Sequence, residues 1–373
     1  MDRTSLYYGD QTSTWWSLAS RSHSRRYQLN WMKTSRDARV LVVGGGVIGL
    51  TTALALLQSG FKHVQVVAKK FEATTSHVAG GLWMPFALPD GVDTVRPRKW
   101  CEVTYAWLET LHKEKGESLD IHIVPGVDVS AVGAPQVIHP YWAHCVENFR
   151  LLSQEEAAEV SPGATHGFAL DTIIYNPKPF MLWLHEEIQK LGGTLKQRRV
   201  NALDEEECDL LVNCSGLAAK ELAGDGTMFP IRGQIINVYN PKLKELKMSV
   251  DKDGEYAYVI PRPNGDVVLG GTVQKHNWTA ENNDSDVDGV WERCCRLWPE
   301  VRNSKVIAKM AGLRPGRTGG VRLEVQAAPT KRGAVLIHNY GHGGSGHTLH
   351  WGCAQEVVEL AKQRFPVGLT SKL

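Results

Sequence analysis

The sequence predicts an α/β protein of two interlocked domains, one of them built on a parallel sheet. Three observations carry that expectation. The chain has 373 residues, 42% of them hydrophobic, which is enough apolar material for two cores. Between residues 39 and 68 it reads as strand, glycine-rich turn, helix and second strand. A second glycine cluster, 341–346, stands ahead of a helical run near the other end. Lys and Arg number 42 against 40 Asp and Glu, intermixed, for a net charge of +2, so no field of one sign exists to draw in nucleic acid. A small-molecule partner fits that balance, and a homodimer is left open.

Taken in order, residues 1–37 are rich in Ser, Arg, Tyr and Trp without periodicity and are expected as a disordered tail. The alternative, an Arg- and Ser-rich mitochondrial presequence, is opposed by Asp2 and Asp10. Arg39-Val40-Leu41-Val42-Val43 is a β-branched run suited to a buried parallel strand, and it leads into Gly44-Gly45-Gly46-Val47-Ile48-Gly49. This is the GxGxxG fingerprint of a Rossmann-like unit in its required context. Gly44 makes the tight turn, Gly46 lets backbone approach a pyrophosphate, and Gly49 lets helix pack close on strand. The helix, Val47 to Ser59, ends at Gly60, and its amino end offers free N–H groups and a positive dipole to phosphate. The second strand, Val64 to Ala68, ends in Lys69-Lys70, where an Asp or Glu should accept from the ribose hydroxyls. A lysine has no acceptor, and the nearest acid is Glu72. That cation keeps an NADP-linked reductase open as an alternative. The longest apolar stretch, Val40 to Leu57, is broken by these glycines and by Thr51 and Thr52, so it is no transmembrane helix. Cys101, Cys145, Cys208, Cys214, Cys294, Cys295 and Cys353 lack CxxC spacing and lie mostly in apolar runs, which predicts reduced thiols and no metal site.

Tyr256-Ala257-Tyr258-Val259-Ile260 alternates, placing Tyr256, Tyr258 and Ile260 on one face of a strand. Arg314 stands next to Pro315 in an apolar, glycine-rich setting suited to gripping a carboxylate through two parallel hydrogen bonds. Alone, these residues read equally well as a core tyrosine and a structural arginine. Gly341-His342-Gly343-Gly344-Ser345-Gly346 ahead of a helix from Thr348 to Phe365 forms a second backbone cradle. No Ser/His/Asp arrangement, HExxH or metal cluster supplies other chemistry.

Thr74-Thr75-Ser76-His77-Val78-Ala79-Gly80-Gly81-Leu82-Trp83 resembles the stretch that D-amino-acid oxidases wrap around the flavin. Asn213-Cys214-Ser215-Gly216, Arg232-Gly233-Gln234, Tyr258-Val259-Ile260-Pro261, Leu269-Gly270-Gly271-Thr272, Gly312-Leu313-Arg314-Pro315 and His338-Asn339-Tyr340-Gly341-His342-Gly343-Gly344 resemble further landmarks in the same order. The match runs from about residue 38 onward, and on it the chain is similar to the FAD-dependent family of D-amino-acid oxidases and D-aspartate oxidases, closer to the former.

The resemblance implies a discontinuous FAD-binding domain from residues 38–95, 165–225 and 310–373, and a mainly antiparallel α+β substrate domain from 96–164 and 226–309. It implies oxidative deamination of a D-amino acid to a 2-oxo acid, ammonia and hydrogen peroxide, by hydride transfer to flavin N5. Tyr258 and Arg314 would hold the substrate carboxylate and the Gly344 carbonyl would accept from the amine. The FAD would lie on Gly44, Gly46, Val47, Ile48, Gly49, Thr74, Thr75, Ser76, Gly81, Leu82, Val200, Ser215, Gly216, Arg314, Gly343, Gly344, Gly346 and Thr348, with Val200 at the end of a strand after a helix Met181 to Leu191. Val250 to Glu255 corresponds to the family's substrate lid, shortened, and Tyr256 to its second tyrosine. Arg317 and Arg322 are expected to be structural or solvent-facing.

Two branches share these landmarks. The acidic branch needs a second cation for the side-chain carboxylate, and Val273 stands where its arginine is expected, with Lys252, Lys275 and His276 as substitutes. Neutral D-amino acids are therefore the expected substrates, with D-aspartate oxidation the alternative and a non-catalytic flavin-binding protein the rival from another class. Ser371-Lys372-Leu373 is the tripeptide read by the peroxisomal import receptor, which predicts the peroxisomal matrix.

Overall fold

The computed structural model describes residues 33–86, 95–131 and 140–366. Ser371-Lys372-Leu373 and the tail up to residue 32 lie outside them. The end of the expected tail is part of the fold: Ser35 is buried and Lys33 Nζ reaches Asp209 at 2.8 Å. A buried carboxylate at the start of a core strand holds that segment down, which composition alone does not reveal.

The first sheet follows from the N-terminal motif. β1 (Arg39–Val43) is buried beyond its first residue, and α1 (Val47–Gln58) is buried on nearly every side. That suits its run of Val, Ile, Leu and Ala. Thr51 and Thr52 enter this core by donating to the Val47 and Ile48 carbonyls, each at 2.7 Å. β2 (His63–Ala68) pairs parallel with β1, Val40 opposite Val64. α2 (Val95–Leu119) leads into the second sheet through β3 (Ile121–Ala131), β4 (Glu147–Leu151), α3 (Gln154–Val160) and β5 (Ala164–Tyr175). The chain then returns to the first sheet. α4 (Pro177–Lys190) starts earlier than expected because Asn176 caps it, accepting from the Lys178 N–H, with Pro177 in its first turn. β6 (Thr194–Gln197) and β7 (Leu210–Asn213) follow.

The central segment adds β8 (Met228–Tyr239), β9 (Leu246–Val250), β10 (Tyr256–Pro261), β11 (Asp266–Gly270), β12 (Gln274–Lys275), α5 (Asp284–Leu297) and β13 (Lys305–Arg317) to the second sheet. β14 (Arg322–Val325), β15 (Val335–Tyr340) and α6 (Gly346–Arg364) complete the first. The six strands of that first sheet run in the order β14-β15-β7-β1-β2-β6, parallel except for β14 against β15. Among the described residues the second has nine strands and is antiparallel at every pairing except β3 with β9.

Membership of the two sheets departs from the expected boundaries at 165 and 310. β5 is a full partner of β3, and β13 runs the length of β8, so both belong to the second sheet. α2, expected with the substrate domain, packs on α6: Trp107 stacks on Trp351 with ring centroids 4.2 Å apart. Local periodicity identifies a strand or helix but not its partner, and these elements change layers. All seven cysteines are free thiols, and every one but Cys145 is buried.

Candidate active site

A cavity of about 730 Å³ opens at the carboxyl ends of β1, β2 and β7 and extends under the second sheet. Its first wall is the turn Gly44 to Ile48. Gly44 has φ +130°, and a Cβ there would lie 2.2 Å from the Cys214 carbonyl oxygen, so no side chain fits. Gly49 lies behind this wall. A Cβ on it would meet the Gly44 oxygen at 2.0 Å, so its part is to seat α1 on the turn rather than to face the cavity. Ser76 Oγ accepts from the Val47 N–H at 3.0 Å, joining the Thr74–Leu82 segment to the amino end of α1. Thr74, Thr75, Gly81, Leu82, Ser215, Gly216 and Val200 all line the same space. Val200 does so from irregular chain beyond β6 rather than from a strand end.

Where ribose-binding acid was expected, Lys69, Lys70, Arg198 and Arg199 line the cavity and Glu72 does not. Arg198 is held by Glu206, Nη1 donating at 2.7 Å, and Lys70 donates to the Ala73 carbonyl at 2.5 Å. Lys69 and Arg199 remain exposed.

The loop between β15 and α6 brings Gly343, Gly344 and Gly346 to the wall. Thr348 does not reach it: in the first turn of α6, it is buried and donates to the Met84 carbonyl at 2.9 Å. His342 and His347 take its place as lining residues, and the sequence reading did not include them. His347 Nε2 lies 2.9 Å from the Ser76 carbonyl, which can only accept, so Nε2 carries the hydrogen. Nδ1 then accepts from the Tyr175 hydroxyl at 2.7 Å. Burial pushes the His347 pKa down to about 4 and that of His342 to about 3, so both rings are neutral near pH 7.

At the far end Tyr258 and Arg314 come together beneath the second sheet. Burial raises the Tyr258 pKa, and the neighbouring guanidinium partly offsets it, leaving a neutral phenol beside a cation. Arg314 Nη1 donates to the Thr272 carbonyl at 3.0 Å, and the guanidinium lies 5.6 Å from the Phe86 ring centroid. It can lie there because Gly233 has no Cβ, which would stand 2.4 Å from Nη2. Thr272 is itself fixed, its hydroxyl accepting from the Gln234 N–H at 2.9 Å. Met84, Phe86, Ile235, Met248 and Ile260 make the surroundings apolar. These five were not foreseen either. Met84 and Phe86 follow the Gly81-Leu82-Trp83 landmark, but the others depend on strand register.

The segment Asp251 to Glu255 is a tight turn between β9 and β10. Asp251 Oδ1 accepts from the N–H groups of Asp253 and Glu255 at 3.0 and 2.9 Å, and none of these residues lines the cavity. Tyr256 also stays off the wall, its ring edge-on to Phe86 at 5.2 Å. Of the substitutes for a second cation, Lys252 is exposed and paired with Asp253, His276 stacks on Phe229, and Lys275 is exposed. Among the described residues Arg314 is thus the one cation lining the substrate end, opposite the basic cluster at Lys69.

A family described as FAD dependent oxidoreductase matches residues 39–360. A D-amino-acid oxidase of Rubrobacter xylanophilus is 39% identical over 328 residues, 87% of this chain and 96% of that protein. A human D-aspartate oxidase is 33% identical over 333 residues, 87% of this chain and 95% of its own length. In fold, the chain is similar to glycine oxidase from Geobacillus kaustophilus, with a TM-score of 0.71 at 18% identity, covering 89% of this chain and 97% of that one.

Proposed function

Because this chain belongs to the FAD-dependent oxidoreductase family that includes the D-amino-acid oxidases, we propose that it oxidises neutral D-amino acids to 2-oxo acids, ammonia and hydrogen peroxide. The observation that carries this reading is the pairing of Tyr258 with Arg314 at the apolar end of a groove lined by two glycine cradles. The residues present fit FAD. The helix amino end behind Gly46 suits its diphosphate, and a Cβ at Gly44 would collide with backbone. Gly44 to Ile48, Thr74 to Ser76, Gly81, Leu82, Ser215, Gly216, Gly343, Gly344 and Gly346 would hold it. When bound, FAD supplies the acceptor for the α-hydrogen as hydride and passes the electrons to O2.

The chain's own contribution is binding and orientation. Arg314 and the neutral Tyr258 hydroxyl hold the substrate carboxylate, and the Thr272 carbonyl fixes one arm of the guanidinium. A Gly344 carbonyl on the opposite wall accepts from the α-amine. Met84, Met248, Ile235 and Ile260 exclude water around the α-carbon. Positioning of this kind accounts for up to about 7–11 kcal/mol of a barrier without a general base.

Purified protein supplemented with FAD should release peroxide from D-alanine and D-proline and not from their L-forms. Turnover confined to D-aspartate and D-glutamate would move the substrate to the acidic branch. Arg314→Ala should lower kcat/KM by roughly 10²–10⁴-fold with flavin absorbance retained, the scale of about 3–5 kcal/mol for stranding one member of a buried charge pair. We also propose the peroxisomal matrix as its location, supported by Ser371-Lys372-Leu373. Fluorescence from an amino-terminally tagged chain should become diffuse when those three residues are removed.

A further inference from the structure

One row of cross-strand neighbours crosses the face of the second sheet that roofs the cavity. Ile235 of β8 stands opposite Gly270 of β11, Gly270 opposite Tyr258 of β10, and Tyr258 opposite Met248 of β9. Met248 stands opposite Asp128 of β3, and Asp128 opposite Phe168 of β5. Directly paired residues share a sheet face. Ile235, Tyr258 and Met248 all line the cavity, and Gly270 leaves room for the Tyr258 ring, whose Cζ a Cβ there would meet at 2.1 Å. Asp128 is the next member of that row, one strand beyond the last of these lining residues and half-buried between Met248 and buried Phe168.

A half-buried carboxylate between apolar neighbours favours the arrival of a cation. Among the described residues Asp128 has no hydrogen-bond or ion-pair partner, and its flanking row members are a thioether and a phenyl ring. Burial pushes its pKa up to about 7, a state that an arriving cation would reverse. Adjacent strands lie about 4.8 Å apart, so Asp128 is about 10 Å across the sheet from Tyr258. A substrate whose carboxylate lies on Tyr258 and Arg314 has its side chain free to run along Met248. An ammonium on a four-carbon stem or a guanidinium then arrives at Asp128.

We propose that Asp128 is a specificity-determining residue of this site and receives the terminal cation of a basic D-amino acid such as D-lysine, D-ornithine or D-arginine. The proposal rests on the oxidase reading given above and extends it from neutral substrates to cationic ones. Both α-carboxylate and side-chain cation then meet an opposite charge.

The test compares D-lysine with D-norleucine, which has the same carbon chain without the ammonium. The readout is the ratio of their kcat/KM values in the FAD-supplemented enzyme, which cancels any loss common to both. A charge-assisted hydrogen bond of about 1.5–3 kcal/mol predicts a ratio of roughly 10–100 in the wild type. Asp128→Asn should bring the ratio below 1, and Asp128→Glu, which keeps the charge, should hold it above 1. A wild-type ratio at or below 1 overturns the proposal without any variant being needed, and so does a ratio that Asp128→Asn leaves unchanged. Peroxide from D-norleucine with no advantage for D-lysine removes the role of Asp128 and leaves the oxidase reading intact. Silence on both substrates removes both.

Discussion

Lys69 sits where a dinucleotide fold ordinarily ends its second strand in a carboxylate, and the change reverses the chemistry on offer to a ribose. Three N–H donors replace an acceptor for two hydroxyls, and Lys70 and Arg199 add charge to the same wall. Attraction to the cofactor's phosphates then substitutes for hydroxyl recognition, and attraction between exposed charges weakens with salt. FAD affinity of the wild type should therefore fall as ionic strength rises. Lys69→Glu should flatten that dependence and tighten binding roughly tenfold at moderate salt, as a charged acceptor gains hydrogen bonds of about 1.5–3 kcal/mol. Flavin fluorescence titration reads both, and equal salt slopes in the two proteins would mean that Lys69 does not sense the phosphates. At this scale the sequence reveals what depends on near neighbours. Gly44 and Gly46 are readable because a turn of fixed length needs them at fixed spacing. Met248, Ile235 and Asp128 are not, because what joins them to Tyr258 is strand register, and their separation along the chain carries no trace of it.

Among the elements, α1 depends on how closely it can approach the turn that precedes it. The Gly44 oxygen would lie 2.0 Å from a Cβ at position 49, and Cys214 packs behind at 3.5 Å. Since α1 is buried on nearly all sides, it has no free direction in which to shift. Gly49→Ala should destabilise the apoprotein by about 1–3 kcal/mol, the usual cost of overpacking. It should also weaken FAD binding, because the displaced helix carries the N–H groups that face the diphosphate. Urea unfolding and flavin titration would report the two effects separately, and a variant as stable as the wild type would contradict the packing account. β1, α1 and β2 were legible because a β-branched run, a glycine turn and an apolar helix are consecutive and self-explanatory. β5 and β13 cross the boundaries expected at 165 and 310 for the converse reason: each is a long strand whose pairing partner lies elsewhere in the sequence. The turn from Asp251 to Glu255 is a further case, since its acidic and glycine residues suit a loose lid as well as the Asp251-capped turn they form.

Across the whole molecule, the groove survives only if the two sheets keep their spacing, and a buried carboxylate helps to hold it. Asp225, just ahead of β8, accepts from Arg317 Nε at the end of β13 at 2.8 Å and from the Tyr340 hydroxyl at the end of β15 at 2.9 Å. Thr227 closes the cluster through its N–H at 3.0 Å and its hydroxyl. Burial alone would raise the Asp225 pKa, but hydrogen bonds from Arg317, Thr227 and Tyr340 outweigh it and hold the carboxyl well below its ordinary value. A group depressed in the folded state binds its proton more readily in the unfolded chain, so it stabilises the fold most above the unfolded pKa of about 3.9. That contribution declines as the pH falls toward the folded value. The stability difference between wild type and Asp225→Asn should therefore be constant between about pH 5 and 8, at roughly 3–5 kcal/mol for a broken buried pair, and shrink progressively below about pH 4. Urea midpoints of the two proteins measured across that range test this. A difference that persists undiminished at the acid end would mean that the cluster acts through packing rather than charge, and the two sheets would then owe their spacing to the apolar core alone.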